Sequence, residues 1–232
     1  MILAIVGKEL RETWTYAALA VVLFLGRLNN YLGGCNSLLA KFFGWIPGFS
    51  VCQSSPPFPF LTAGPGGFYE DSFGLMAIAL AVVLGLRQSA WEPSRGTLHF
   101  LLQQPLSRRA IFLTKIATGI GLVLLSTLVP ILVYAGWAAT PGKHASPFEW
   151  SMTWPTFRIW LVLPLVYLAA FATGIRPAAW YGARLMPLVA VAIPAVFTER
   201  LMSIPSLGVP LLVLLVAGFT FAILTEAETR DF

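Results

Sequence analysis

Few residues in this chain have the chemistry for catalysis, and their spacing withholds it. The two histidines, His99 and His144, fall in separate polar segments on either side of a long apolar run. In the topology reached below they face opposite sides of a membrane, so they cannot share a metal or form a dyad. The glycine-rich GPGGFYE at Gly64–Glu70 lacks the lysine and following hydroxyl of a phosphate loop, and no G-x-x-x-x-G-K-[ST] occurs. No carboxylate pair or nucleophile–base arrangement lies within an apolar segment. Glu199 and Arg200 are adjacent at the end of one, where solvation accounts for them. Cys35 and Cys52 could close a ring of roughly 17 residues, a disulfide contributing about 3 kcal/mol by the loop-entropy relation. Free thiols are the alternative, and a metal site with His144 a remote one. Arg27 ends the first apolar segment, and Glu70 and Asp71 open the second, on either side of the same polar stretch. An outer ion pair is available to them, as is simple marking of the interface. The chain is not expected to be an enzyme, and no metal is expected.

Two segments have the chemistry of recognition instead. From Gln88 to Lys115 runs QSAWEPSRGTLHFLLQQPLSRRAIFLTK, a polar, arginine-bearing island. Glu92-Pro93 reads as a turn and Ser94 as the cap of a short helix. Leu98, Leu101 and Leu102 share its apolar face, and Pro105, with no amide hydrogen, ends it. Ser107 is placed to cap the next helix, with Arg108 and Arg109 at headgroup level. A solvated loop whose arginines only set topology is the plain alternative. At the N-terminus, Leu3, Val6, Leu10 and Trp14 recur at helical spacing, with Lys8, Glu9, Arg11 and Glu12 on the other side. That predicts an amphipathic interface helix over about 1–13, either a simple anchor or a contact for a cytoplasmic partner.

The elements that carry these segments follow from composition. The 232 residues are 57% hydrophobic and 11% charged, and mean hydropathy is +0.78. A soluble domain is about a quarter charged, so the bilayer is the solvent here. No strand alternation appears, which leaves helices, each needing about 20 apolar residues. Spans are predicted at 14–32, 68–86, 111–137 (with a kink at Pro130), 159–175, 178–197 and 207–224, in one domain over 1–232. The outer loop 33–67 holds a PPFPF run, which cannot be helical. No cleavable signal is expected, because charge follows the first apolar run. Lys115 and Arg184 are expected to snorkel to the headgroups. Ser126, Thr127, Tyr134, Tyr167 and Thr173 either line a path or bond to neighbouring helices.

Orientation follows from the positive charges. With the N-terminus inside, Lys8, Arg11, Arg87, Arg95, Arg108, Arg109, Lys115, Arg176, Arg184 and Arg230 are cytoplasmic. Arg27, Lys41, Lys143, Arg158 and Arg200 are outside. Ten against five places both termini in the cytoplasm of a multi-pass protein of the plasma (inner) membrane. The net charge of +5 is thus explained by the bilayer, with no nucleic-acid partner expected.

The order Glu92, Gly96-Thr97-Leu98, Leu101-Leu102, Pro105, Ser107-Arg108 and Lys115 resembles a signature of permease subunits of type-2 ABC transporters. Lys8-Glu9-Leu10-Arg11 is similar to that family's N-terminal interface helix, and six spans with the island between the second and third match its layout. The resemblance is specific over about thirty residues. It implies that 88–110 is a cytoplasmic coupling loop whose helix sits in a groove of a separate ABC ATPase. Glu92, Arg95, Gly96 and Arg108 would be contacts, with Leu98, Leu101 and Leu102 packing toward the membrane. It further implies a dimer, with a second copy or a homologous permease, working with two ATPase copies that hold ATP and Mg; this chain itself needs no cofactor. Transport, most simply export, would follow. The link Thr198–Ser206 is too short for the re-entrant hairpin of some members. A non-transporting scaffold or maturation factor and an ATP-independent carrier are the competing classes; a carrier for charged solutes should show ionisable residues at mid-span.

Overall fold

A computed structural model of the chain describes residues 2–33, 74–94, 106–140, 148–176, 181–202 and 204–229. These form six α-helices: α1 (Ile2–Gly33), α2 (Gly74–Ser94), α3 (Arg108–Ala138), α4 (Trp154–Ile175), α5 (Tyr181–Leu201) and α6 (Pro205–Thr229). A short 3-10 turn, Trp150–Thr153, leads into α4, and no strand occurs among the described residues. Four helices, α2, α3, α4 and α6, are long and apolar enough to cross a bilayer, which is the character of a membrane protein. In α1 the apolar core is bracketed by charged residues and by Arg27, Asn29 and Asn30; in α5 the apolar stretch is the shorter Leu185–Thr198.

Two boundaries differ from expectation. Ile2–Gly33 is one unbroken helix, not an interface segment over 1–13 bending into a span over 14–32. The second span continues past Leu86 to Ser94, so Glu92-Pro93 belongs to the last turn of α2 instead of opening a turn. Proline deprives a helix of one hydrogen bond and crowds the preceding turn, yet here the helix persists for one residue beyond it. Ser107 caps α3 as anticipated, its hydroxyl accepting from Ala110 N at 3.3 Å. Helix α3 runs on through Pro130 to Ala138.

The bundle is built around α4, of whose apolar window 61% is buried inside the protein, against 17% for α6. Tyr167, Leu168 and Phe171 join Phe24, Leu84, Phe112 and Ile223 in one apolar cluster. Val162, Leu165 and Ala169, also on α4, join Val191, Ala195 and Leu212 in a second. Large apolar residues such as Leu19, Val83, Leu125, Val189, Ile193 and Leu214 point outward, as they do where lipid is the solvent.

The seam between α2 and α4 is made by small residues. Ala77, Ala81, Gly85 and Ser89 recur at four-residue spacing on α2 and are all buried; Gly85 faces Ala170 and Ser89 faces Gly174 on α4. A Cβ at Gly85 would lie 2.7 Å from the Ala170 Cβ and 2.8 Å from the Tyr167 carbonyl oxygen. Only glycine permits this approach, the small-xxx-small device of membrane helices. The hydroxyls of Ser126, Thr127 and Thr173 donate back to carbonyls three or four residues earlier in their own helices, so each donor is satisfied within its own helix.

The helices alternate in direction. Contacts bring the start of α1, the end of α2, the start of α3 and the ends of α4 and α6 to one end of the bundle. At the opposite end, Trp154 Nε1 donates to the Met202 carbonyl oxygen in the α5–α6 link at 3.4 Å. That link is only residues 202–204, with room for no re-entrant hairpin.

Candidate functional site

The side chains that stand out lie at the end of the bundle holding both helix termini, α1 start and α6 end. Helix α1 turns Ile5, Glu9, Thr13 and Ala17 inward at four-residue spacing, all buried. A residue advances about 100° around a helix, so Glu9 leaves the face of Lys8 and Glu12, which pair at 3.9 Å on the outside. Glu9 thus departs from the expected charged surface. It meets Lys115 of α3, whose Nζ donates to Glu9 Oε1 at 2.7 Å, with both side chains 1% exposed. Lys115 therefore does not snorkel. Arg11 and Glu12 remain exposed, as do Leu3, Leu10 and Trp14. The apolar stripe read from sequence faces away from the bundle, and the inward face is the one that combines apolar residues with Glu9.

One turn along α3 stands Gly119. A Cβ there would collide with the Tyr167 hydroxyl and Gln88 Oε1, and Tyr167 donates its hydroxyl proton to that oxygen. Gln88 and Tyr167 are both buried, and the Gln88 amide nitrogen has no hydrogen-bond partner among the described residues. Ser89 donates to the Gly85 carbonyl oxygen at 2.7 Å, and its side chain occupies the space a Cβ on Gly174 would need. Four helices thus meet at two polar contacts a turn apart: α1 with α3 through Glu9–Lys115, and α2 with α4 through Gln88–Tyr167 against α3.

Two further contacts flank this centre. Arg109 grips Glu228 of α6 with both ends of its guanidinium fork, Nη2 donating to Oε2 at 2.7 Å and Nε to Oε1. Arg87 lies over Trp91 at 4.6 Å and Tyr16 at 5.6 Å, joining α2 to α1. Both are surface contacts of the same end.

The remaining sequence candidates divide by position. Arg108 is the first residue of α3 and half-buried. Glu92 is in the last turn of α2, its side chain outside the described residues. Arg95, Gly96, Thr97, Leu98, Leu101, Leu102 and Pro105 lie outside the described residues, as do Cys35, Cys52, Glu70, Asp71 and the side chain of Arg27. The expected Arg27 and Cys35–Cys52 pairings are therefore not described. Sequence reasoning missed the pairing of Glu9 with Lys115. The signal available was the four-residue recurrence of Ile5, Glu9, Thr13 and Ala17, together with a lysine inside a strongly apolar helix.

Chemically, the centre is a clamp: a donor–acceptor pair and a tyrosine–amide bond hold helices in register, without a nucleophile activated by a base. Among the described residues, no three of His, Cys, Asp and Glu gather closely enough to hold a metal. Compared with protein-family models, curated proteins and solved structures, the chain matches none.

Proposed function

We propose that the chain is the membrane permease subunit of an ATP-driven transporter of the type-2 ABC class, exporting substrate through a dimer of permeases. The observation that carries this reading is the order of residues between Glu92 and Lys115, with its Gly-Thr-Leu, Leu-Leu and Pro-x-Ser-Arg steps. The connection between α2 and α3 serves as the coupling segment and takes up the motion of a separate ATPase. It is suited to that task by its two supports. Helix α2 is seated on α4 through Gly85 and Ser89, and α3 is tied to α1 through Lys115–Glu9. A push on the connection would move pairs of helices together, not bend one alone.

The test is affinity purification from detergent of the native chain beside a Glu92→Lys, Arg95→Glu double variant. The expected result is recovery of an ABC ATPase with the native chain and its loss from the variant, both chains remaining monodisperse. Absence of an ATPase from both preparations would overturn the proposal and leave a scaffold or a carrier.

A further inference from the structure

An apolar cleft of about 260 Å³ opens between α4, α5 and α6 at the same end of the bundle as the polar centre. Ala172 and Ile175 of α4, Pro187 of α5 and Phe219 of α6 form its apolar lining. Two charged residues of opposite sign complete it. Arg176 is the residue that caps the C-terminus of α4, and Glu226 lies in the last turns of α6. Both are exposed, and neither side chain forms an ion pair with a described residue. Glu226 and Glu228 diverge: Glu228 turns to Arg109 of α3, whereas Glu226 faces the cleft.

We propose that this cleft binds one zwitterionic aminophospholipid of the ethanolamine type from the leaflet at this end of the bundle. Arg176 takes the phosphate, Glu226 takes the primary ammonium, and the apolar lining takes the first part of the acyl chains. The match rests on charge complementarity. A guanidinium fork suits a phosphate, and an ammonium group offers three donors to a carboxylate. The two opposite charges cancel, as they do on the headgroup. Phosphatidylglycerol would satisfy Arg176 but offer Glu226 only neutral hydroxyls and no positive charge, while a choline headgroup has no hydrogen to donate to it. The volume lies just below the usual range of about 300–1,000 Å³ for small-molecule pockets. It therefore accommodates a headgroup and glycerol, the rest of the chains lying in the bilayer. A soluble phosphoethanolamine would leave the apolar lining unfilled, which is why a lipid is the occupant. This assignment does not depend on the permease reading, and either experiment can fail without affecting the other.

The test uses the full chain purified in detergent and stripped of lipid, titrated with phosphatidylethanolamine, phosphatidylglycerol and phosphatidylcholine of identical acyl chains, with bound lipid counted by native mass spectrometry. The native chain should retain phosphatidylethanolamine about tenfold more tightly than phosphatidylglycerol, the size of one charge-assisted contact. Glu226→Gln should abolish that preference, Arg176→Gln should weaken both lipids, and Ala222→Phe, which fills the cleft, should weaken all three. Excess free phosphoethanolamine should displace nothing. Equal retention of the two lipids by the native chain would overturn the proposal. So would an unchanged preference in Glu226→Gln, or displacement by the free headgroup. Should Arg176→Gln fail to elute as a single species, the Glu226→Gln and Ala222→Phe results decide.

Discussion

Lys115 lies seven residues beyond Arg108 on α3, about 10 Å along the helix at 1.5 Å per residue, and is 1% exposed. Removing an ammonium and a carboxylate from water costs several kcal/mol each, which their attraction offsets only when geometry is good and other bonds are satisfied. The consequence is an asymmetry. Lys115→Met alone leaves Glu9 buried without its counter-ion, and destabilisation of about 3–5 kcal/mol is expected. Glu9→Leu alone should cost a similar amount. The double variant, with neither charge, should recover most of the loss, since apolar replacement of a buried pair is often neutral. Thermal unfolding of the three variants in one detergent checks this; a double variant no better than either single one would show that the pair does not act as a unit. The Tyr167–Gln88 contact behaves alike on a smaller scale. Tyr167→Phe leaves the whole Gln88 amide unsatisfied, at about 1–3 kcal/mol, while adding Gln88→Leu should return stability close to native.

At the scale of elements, the seam between α2 and α4 sets the spacing that brings Gln88 to Tyr167. Gly85→Val would drive side-chain atoms into the Ala170 methyl and the Tyr167 and Phe171 backbone. Overpacking of this kind costs about 1–3 kcal/mol or more, and because backbone must move, loss of monodispersity in detergent is expected. Gly121→Ala is the contrast, since nothing lies within 4 Å of a Cβ there. It should be tolerated or gain up to about 1 kcal/mol from helix propensity. Equal behaviour of the two variants in size-exclusion profiles and melting would refute the close seam. Its ridge was legible in sequence as Ala77, Ala81, Gly85 and Ser89 at one helical spacing, but apolar length alone does not say which face meets protein and which meets lipid. The same blindness set Glu9 among the surface charges, because a charged residue beside Lys8 and Arg11 reads as solvated until its partner on α3 is known. Helix type and the Ser107 cap were legible because they are local. The end of α2 was misjudged because Pro93 is a breaker only where the preceding turn cannot accommodate it.

For the whole molecule, the number of crossings that separate the loop after α3 from the C-terminus is set by the course of α5. Its apolar stretch Leu185–Thr198 covers about 20 Å at 1.5 Å per residue, short of the roughly 30 Å hydrocarbon core. Packing sets α5 alongside a helix that is itself long and apolar enough to cross. Val191 and Ala195 of α5 lie in the cluster with Val162, Leu165 and Ala169 of α4. The link following α5 reaches Trp154 at the far end of the bundle. A short apolar stretch can be accommodated by local thinning of the bilayer or by flanking residues that reach the interface. Three crossings, α4, α5 and α6, would then separate the loop after α3 from the C-terminus, placing them on opposite sides. If α5 stayed on one side, two crossings would place them together. The charge count predicts a C-terminus inside. An alkaline phosphatase inserted at Gly142 should therefore be active, since it matures only where disulfides form. A phosphatase fused after Thr229 should be inactive, and a fluorescent protein there bright. Activity at both phosphatase junctions, or at neither, would remove α5 from the set of spans. Activity only at the C-terminal junction would keep three crossings and invert the orientation.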